Sequence, residues 1–136
     1  MVVTEEQDLV ETINTITNGT GARIVFDPVG GKTVEKLAQA MSPGGTLFIY
    51  GGLSREPTIF PLAPAMLKGL SIRGYVLFEI LADKDRREHA IAFITRGLEA
   101  GSLKPVIAKT FPFDKIVEAH RYLESNAQFG KIVVTV

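Results

Sequence analysis

The 136-residue chain contains no cysteine. That excludes disulfides, thiolate-bound zinc and a thiol nucleophile within it, and agrees with a reducing compartment. Net charge is missing as well: 15 basic and 15 acidic residues cancel. Such a chain has no overall field with which to recruit nucleic acid or an anionic membrane. No apolar run approaches the roughly 20 residues that a membrane span needs. The N-terminal MVVTEEQDLVE has no basic region and turns acidic at once, unlike a secretory signal. With 2 histidines and no cysteine, neither a zinc site nor a Ser-His-Asp triad has its parts. The expectation is a soluble cytoplasmic protein without a nucleic-acid, membrane or metal partner. One more absence is local. The stretch IVFDPVGG, Ile24 to Gly31, reads like the second half of a nucleotide-binding site. Yet no G-x-G-x-x-G turn precedes it.

What is present argues for a packed core. Hydrophobic residues make up 46% of the chain and mean hydropathy is positive, which speaks against disorder. Val2 and Val3 read as a strand end. Thr4-Glu5-Glu6-Gln7 forms a capping box for a helix with Leu9, Val10, Ile13 and Ile16 on one face. Gly19 is placed to close it as a left-handed cap. Ile24-Val25-Phe26 is apolar without alternation, as in a parallel strand buried on both faces. Val34, Leu37, Ala38 and Met41 repeat at helical spacing, and Ser42-Pro43-Gly44-Gly45 ends that helix. Leu47 to Tyr50 is a second strand, and a loop marked by Pro57, Pro61 and Pro64 carries a short helix over Ala63 to Lys68. Leu70 to Leu77 reads as a third strand. Asp83 to Ala100 reads as a helix packing Ala90, Ile91, Ile94 and Leu98, stopped by Gly101. The order is that of an α/β fold whose crossovers make the sheet parallel. Composition shifts at Ser102-Leu103-Lys104-Pro105, a boundary between residues 1–102 and 103–136. Beyond it come a strand over Val106 to Phe111, a helix capped by Asp114 with Ile116, Ala119, His120 and Leu123 on its face, and a last strand over Ile132 to Val136.

Two successive strands end in glycine pairs, Gly30-Gly31 and Gly51-Gly52. In open parallel sheets ligands bind beyond the carboxyl ends of the strands, where glycine lets the backbone come close. Ordinary βα turns use the same residues, and the pattern alone leaves both readings open. His89 sits in the charged turn Arg86-Arg87-Glu88 and reads as solvated, while His120 reads as a packing residue. Asp83-Lys84-Asp85 is too short for a calcium loop and opens a helix instead. Tyr50 and Tyr75 read as core. Lys131, after Phe129-Gly130, is either a solvated lysine at a strand start or a cation aimed at an anion.

Five segments together resemble the C-terminal portion of the medium-chain dehydrogenase/reductase family, in particular its zinc-independent quinone-oxidoreductase branch. They are ITNGTGARIVFDPVGG, LAQAMSPGGTLFIYGGLS, MLKGLSIRGYVLF, GLEAGSLKPVIAKTFPFDKIVEAHRYLES and FGKIVVTV, in family order and covering nearly the whole chain. The resemblance implies a partial Rossmann fold, a doubly wound and mostly parallel sheet, over 1–102. It implies a β-α-β extension over 103–136 that completes a GroES-like domain. It also implies a fragment that starts near the family's third Rossmann strand, with Met1 an introduced or internal start, so that the missing glycine turn lies upstream. The cofactor implied is NADPH, with NADH as the other choice. Val29 and Gly30 are implied near its adenosine half, Gly51, Gly52 and Leu53 beside the nicotinamide, the backbone of Tyr75 and Leu77 at the carboxamide, and Lys131 at the pyrophosphate. No residue of this chain is implied to be catalytic. The parent would reduce a quinone, another activated carbonyl or an alkene, and would be a homodimer through Leu70 to Leu77. The chain alone is expected to be inactive. The competing reading is a non-catalytic dimerisation or ligand-binding α/β module.

Overall fold

The computed structural model describes residues 6–136. The chain divides into two compact units, one ending at Lys84 and the other running from Asp85 to Val136. The first contains α1 (Leu9–Ile16), β1 (Ala22–Asp27), α2 (Thr33–Ala40), β2 (Met41–Ile49), α3 (Leu62–Lys68), β3 (Ser71–Gly74) and the single turn α4 (Phe78–Leu81). Its sheet has the order β1-β2-β3, and both pairings are parallel. The second holds α5 (Lys84–Glu99, which begins at the boundary), β4 (Ile107–Pro112), a 3-10 turn (Phe113–Lys115), α6 (Ile116–Glu124) and β5 (Lys131–Thr135). Here β4 and β5 pair in parallel, with α6 as the crossover between them.

The α/β class and the parallel sheet are as the sequence indicates. The core of the first unit is Val34 from α2 with Met41 and Leu47 from β2, flanked by Val25, Leu37, Ile49, Leu70 and Ile72. Full burial of each such side chain contributes about 1.5–3 kcal/mol. The helical repeat of Val34, Leu37 and Ala38 therefore packs α2 onto the face of the sheet that carries Val25, Leu47 and Ile72. Lys68 secures the end of α2, donating from Nζ to the carbonyls of Gln39 at 2.6 Å and Met41 at 2.8 Å. Those carbonyls have no amide partner within a helix that stops at Ala40.

Several local expectations need correction. The cap of α1 is Asp8, whose Oδ1 accepts from the Glu11 amide at 2.8 Å. Thr4, like Val2 and Val3, lies outside the described residues. Gly19 is left-handed at φ 78°, but Thr17 is the C-cap residue and Ile16 is exposed. β2 starts at Met41, directly after α2, and Ser42 to Gly45 bulge out of register between the Met41 and Thr46 pairings. β1 is not buried on both faces: Ile24 and Phe26 remain 57% and 64% exposed, because α2 covers only the opposite face. Phe26 stacks on Phe48 across that open face, with ring centroids 5.2 Å apart. β3 keeps only Ser71–Gly74 of the expected Leu70 to Leu77. Beyond Tyr75, β2 offers no further partner and the chain turns into α4. On α5 the stripe Ile91, Ile94 and Leu98 is half exposed rather than packed. Asp114 lies inside the 3-10 turn and caps nothing, and His120 is exposed.

Candidate functional site at the strand ends

The parallel registers set Asp27, Ile49 and Gly74 side by side, so the three following segments leave the sheet along one edge. Backbone hydrogen bonds then continue past the strands. The Tyr50 amide donates to the Asp27 carbonyl at 3.0 Å, and the Tyr75 amide to the Ile49 carbonyl at 2.9 Å. The Leu53 and Ser54 amides reach the carbonyls of Pro28 and Val29 at 3.3 and 2.8 Å. Residues 28–31 and 50–54 are thereby joined into one double loop.

Asp27 organises the first loop. It is 3% exposed, and its carboxylate accepts from the amides of Val29 at 2.9 Å and Gly30 at 3.1 Å. A buried carboxylate is tolerated when its oxygens receive such bonds. The Gly31 amide donates to the Thr58 hydroxyl at 2.8 Å, and Lys32 pairs with Glu56 at 2.7 Å. Segment 54–58 therefore straps the loop from outside. Both glycines are left-handed, at φ 69° and 68°, as this turn requires. Their amides are engaged internally, so the turn is not a cradle that presents bare N–H groups to phosphate.

The second loop shows why it carries two glycines. A Cβ on Gly51 would run into the carbonyl oxygen of Pro28, whereas one on Gly52 would meet nothing within 4 Å. Gly51 is needed for the approach of the two loops. Gly52 leaves an open face beside the strand ends. Leu53 is 77% exposed, and Val29, Tyr50 and Leu77 are exposed as well. The edge thus offers backbone and apolar surface to a flat ligand.

Of the residues singled out in the sequence, Val29, Gly30, Gly51, Gly52, Leu53, Tyr75 and Leu77 come together on these three segments. Leu77 belongs to the entry of α4 rather than to a strand. Lys131 lies in the other unit, as the first residue of β5, and its side chain is exposed. Asp27 and Thr58 are site residues that the pattern reading missed. An aspartate directly ahead of Pro-x-Gly was the available signal for Asp27; nothing local marks Thr58. Among the described residues no group of three or more His, Cys, Asp or Glu could hold a metal ion. No helix among them is long and apolar enough to cross a membrane.

A family model described as zinc-binding dehydrogenase matches residues 1–134. Curated relatives include a 2-haloacrylate reductase of Burkholderia sp, 27% identical over 134 residues that cover 94% of this chain and 39% of that protein. A quinone oxidoreductase of Sus scrofa is 26% identical over 130 residues, covering 95% and 38%. The chain therefore spans 38–39% of the length of these relatives. Among solved structures, an NAD-dependent alcohol dehydrogenase superposes with TM-score 0.78 at 31% identity, covering 95% of this chain and 35% of that one. A mycobacterial protein solved with NADPH shares the fold at TM-score 0.80 and 20% identity, over 93% of this chain and 40% of that one.

Proposed function

This chain belongs to the zinc-binding dehydrogenase family, the medium-chain dehydrogenase/reductases, and we propose that it supplies the nicotinamide side of an NADPH site. The relatives named above are oxidoreductases, and NADH is the other cofactor such a site could take. The observation that carries the reading is the double loop. Three parallel strands end in register, Gly51 lets two loops close on each other, and Gly52 keeps a face open beside them. Gly51, Gly52 and Leu53 would flank the nicotinamide, the backbone of Tyr75 and Leu77 would meet its carboxamide, and Val29 and Gly30 would lie towards the adenosine. Lys131 would approach the pyrophosphate. The cofactor would supply hydride for an activated carbonyl or alkene, a quinone among them; these residues orient it and keep water from one side. No group of three or more possible zinc ligands stands among the described residues of this chain. It is the DPVGG and YGGLS forms, by likeness, that favour the zinc-independent branch for the parent. On this reading residues 1–102 are the C-terminal half of a Rossmann domain and 103–136 complete a GroES-like one, in a cytoplasmic enzyme.

Millimolar NADPH should move the backbone amide resonances of Gly51 to Leu53 and of Tyr75 to Leu77, with affinity weaker than micromolar. The chain alone should reduce quinone no faster than a buffer blank, because it holds no G-x-G-x-x-G turn to bind the phosphates, and its Gly30 and Gly31 amides, already engaged, do not replace those donors. Shifts confined to other segments would overturn the site assignment, and steady quinone reduction would overturn the inactivity.

We also propose a homodimer through the segment Leu70 to Leu77. β3 is an edge strand of the sheet, and its Ser71, Arg73 and Gly74 are exposed. Bare edges recruit other chains, and a Cβ at Gly74 would meet nothing within 4 Å, leaving room for a second backbone. Sedimentation at micromolar concentration should give a dimer. A monodisperse monomer whose Leu70 to Leu77 amides exchange as freely as a loop would rule this out, and would equally remove the dimerisation module as a second reading.

A further inference from the structure

The chain has three asparagines, Asn14, Asn18 and Asn126. Two of them stand just past a helix end in the left-handed conformation, Asn18 at φ 51° and Asn126 at φ 54°, and both are exposed. Asparagine tolerates that conformation better than most residues with a side chain. What separates the pair is the residue that follows. Asn126 precedes Ala127, whereas Asn18 precedes Gly19. Asn14 lies within α1, ahead of the β-branched Thr15.

α1 ends in a Schellman motif. Thr17 is the C-cap, the Asn18 amide donates to the Thr15 carbonyl at 3.3 Å, and the Gly19 amide donates to the Asn14 carbonyl at 2.7 Å. Gly19 is exposed, and a Cβ there would meet nothing within 4 Å. The bond to Asn14 is therefore what occupies its N–H. α1 has only 8 residues and none of them is buried. A helix of that length is marginal by itself, and its exposed last turn opens at low cost.

We propose that Asn18 is a modification site, losing its side-chain amide to its own backbone at a rate set by the opening of the α1 terminus. Once the motif opens, hydroxide takes the proton of the Gly19 N–H and the nitrogen attacks Asn18 Cγ. The bond from the Gly19 nitrogen to Cγ forms, the Cγ–Nδ2 bond breaks, and Nδ2 takes a proton from water and leaves as ammonia. Water then opens the cyclic imide. Cleavage at Cγ gives an aspartyl residue, and cleavage at the main-chain carbonyl carbon gives an isoaspartyl one. The sum is amide plus water to carboxylic acid plus ammonia, with no oxidation or reduction. Glycine favours the attack because it has no Cβ to hinder the approach. Thr15 and Ala127 do hinder it, after Asn14 and Asn126.

The product holds the turn open. Its carboxylate lies at the negative end of the α1 dipole. The isoaspartyl linkage also puts an extra carbon into the main chain, directly ahead of the amide that closes the motif. The bond to Asn14 then cannot re-form in register, and α1, which packs on α2, loses its stop. None of these residues belongs to the proposed cofactor site.

The full chain, held in mildly alkaline buffer, is mapped by peptide mass spectrometry with fragmentation that distinguishes isoaspartate. A free peptide of residues 11–24 serves as the unfolded reference. Asn18 should convert, mainly to isoaspartate, while Asn14 and Asn126 keep their amides. The rate should be about tenfold below that of the peptide, because the helix end must open first. Asp8 caps α1 by accepting from the Glu11 amide at 2.8 Å, so Asp8→Ala should bring the rate towards the peptide's. Asn18→Gly keeps a residue suited to the left-handed position, and should hold its melting temperature through the incubation while that of the parent falls. Asn18 left intact while the peptide converts, or equal conversion of Asn126, would overturn the site. The same rate in chain and peptide, or a rate unchanged by Asp8→Ala, would overturn the control by α1.

Discussion

Replacing Asp27 by alanine should lower the unfolding free energy of the N-terminal unit by about 3 kcal/mol. The side chain is nearly inaccessible and accepts two amide hydrogen bonds, from Val29 and Gly30. Its removal leaves the buried Gly30 amide without an acceptor and releases the turn that fixes the start of the double loop. Asp27→Asn keeps one oxygen but turns an NH₂ group towards the other amide, so it should recover only part of the loss. Urea denaturation measures both, and a midpoint unchanged in Asp27→Ala would remove Asp27 from its organising role. The same variant should lose the NADPH-induced shifts at Gly51 to Leu53, since residues 50–54 hang on the Pro28 and Val29 carbonyls.

The neighbouring glycines should respond unequally. Gly51→Ala should destabilise by about 2 kcal/mol, within the range seen when a packed site receives an extra methyl group. The obstacle is the Pro28 carbonyl, a backbone atom that cannot rotate away. The Pro28 carbonyl is held where it is by the hydrogen bond it accepts from the Leu53 amide. Gly52→Ala, with open space around its Cβ, should stay within about 0.5 kcal/mol of the parent. Thermal unfolding of the pair decides the matter. Equal stabilities would mean that the loops do not close on each other as described.

Legibility in the sequence followed the range of the interaction. Val34, Leu37 and Ala38 reveal α2 because helical spacing is a local property, and the apolar runs at Ile24 and Leu47 reveal β1 and β2 for the same reason. The glycine pairs were placed at the strand ends for a sound reason, yet their division of labour depends on Pro28, more than twenty residues earlier in the chain. The bond from the Gly31 amide to Thr58 spans 27 residues and leaves no local trace. Burial was the least legible quantity. Ile91, Ile94 and Leu98 have the spacing of a packed face, but spacing cannot supply the surface they would pack on. The third strand failed for a related reason: Val76 and Leu77 have strand-like side chains, but β2 has already ended beside them.

The stacked Phe26 and Phe48 sit on the side of the sheet that α2 leaves uncovered. Ile24 and Phe26 there are already largely hydrated in the folded chain, so unfolding adds comparatively little apolar surface at this face. The heat-capacity increment of unfolding scales with newly wetted apolar area, and so does the steepness of the denaturant response. A one-sided sheet should therefore give the first unit a smaller heat-capacity increment of unfolding, and a shallower response to urea, than the same sheet covered on both faces.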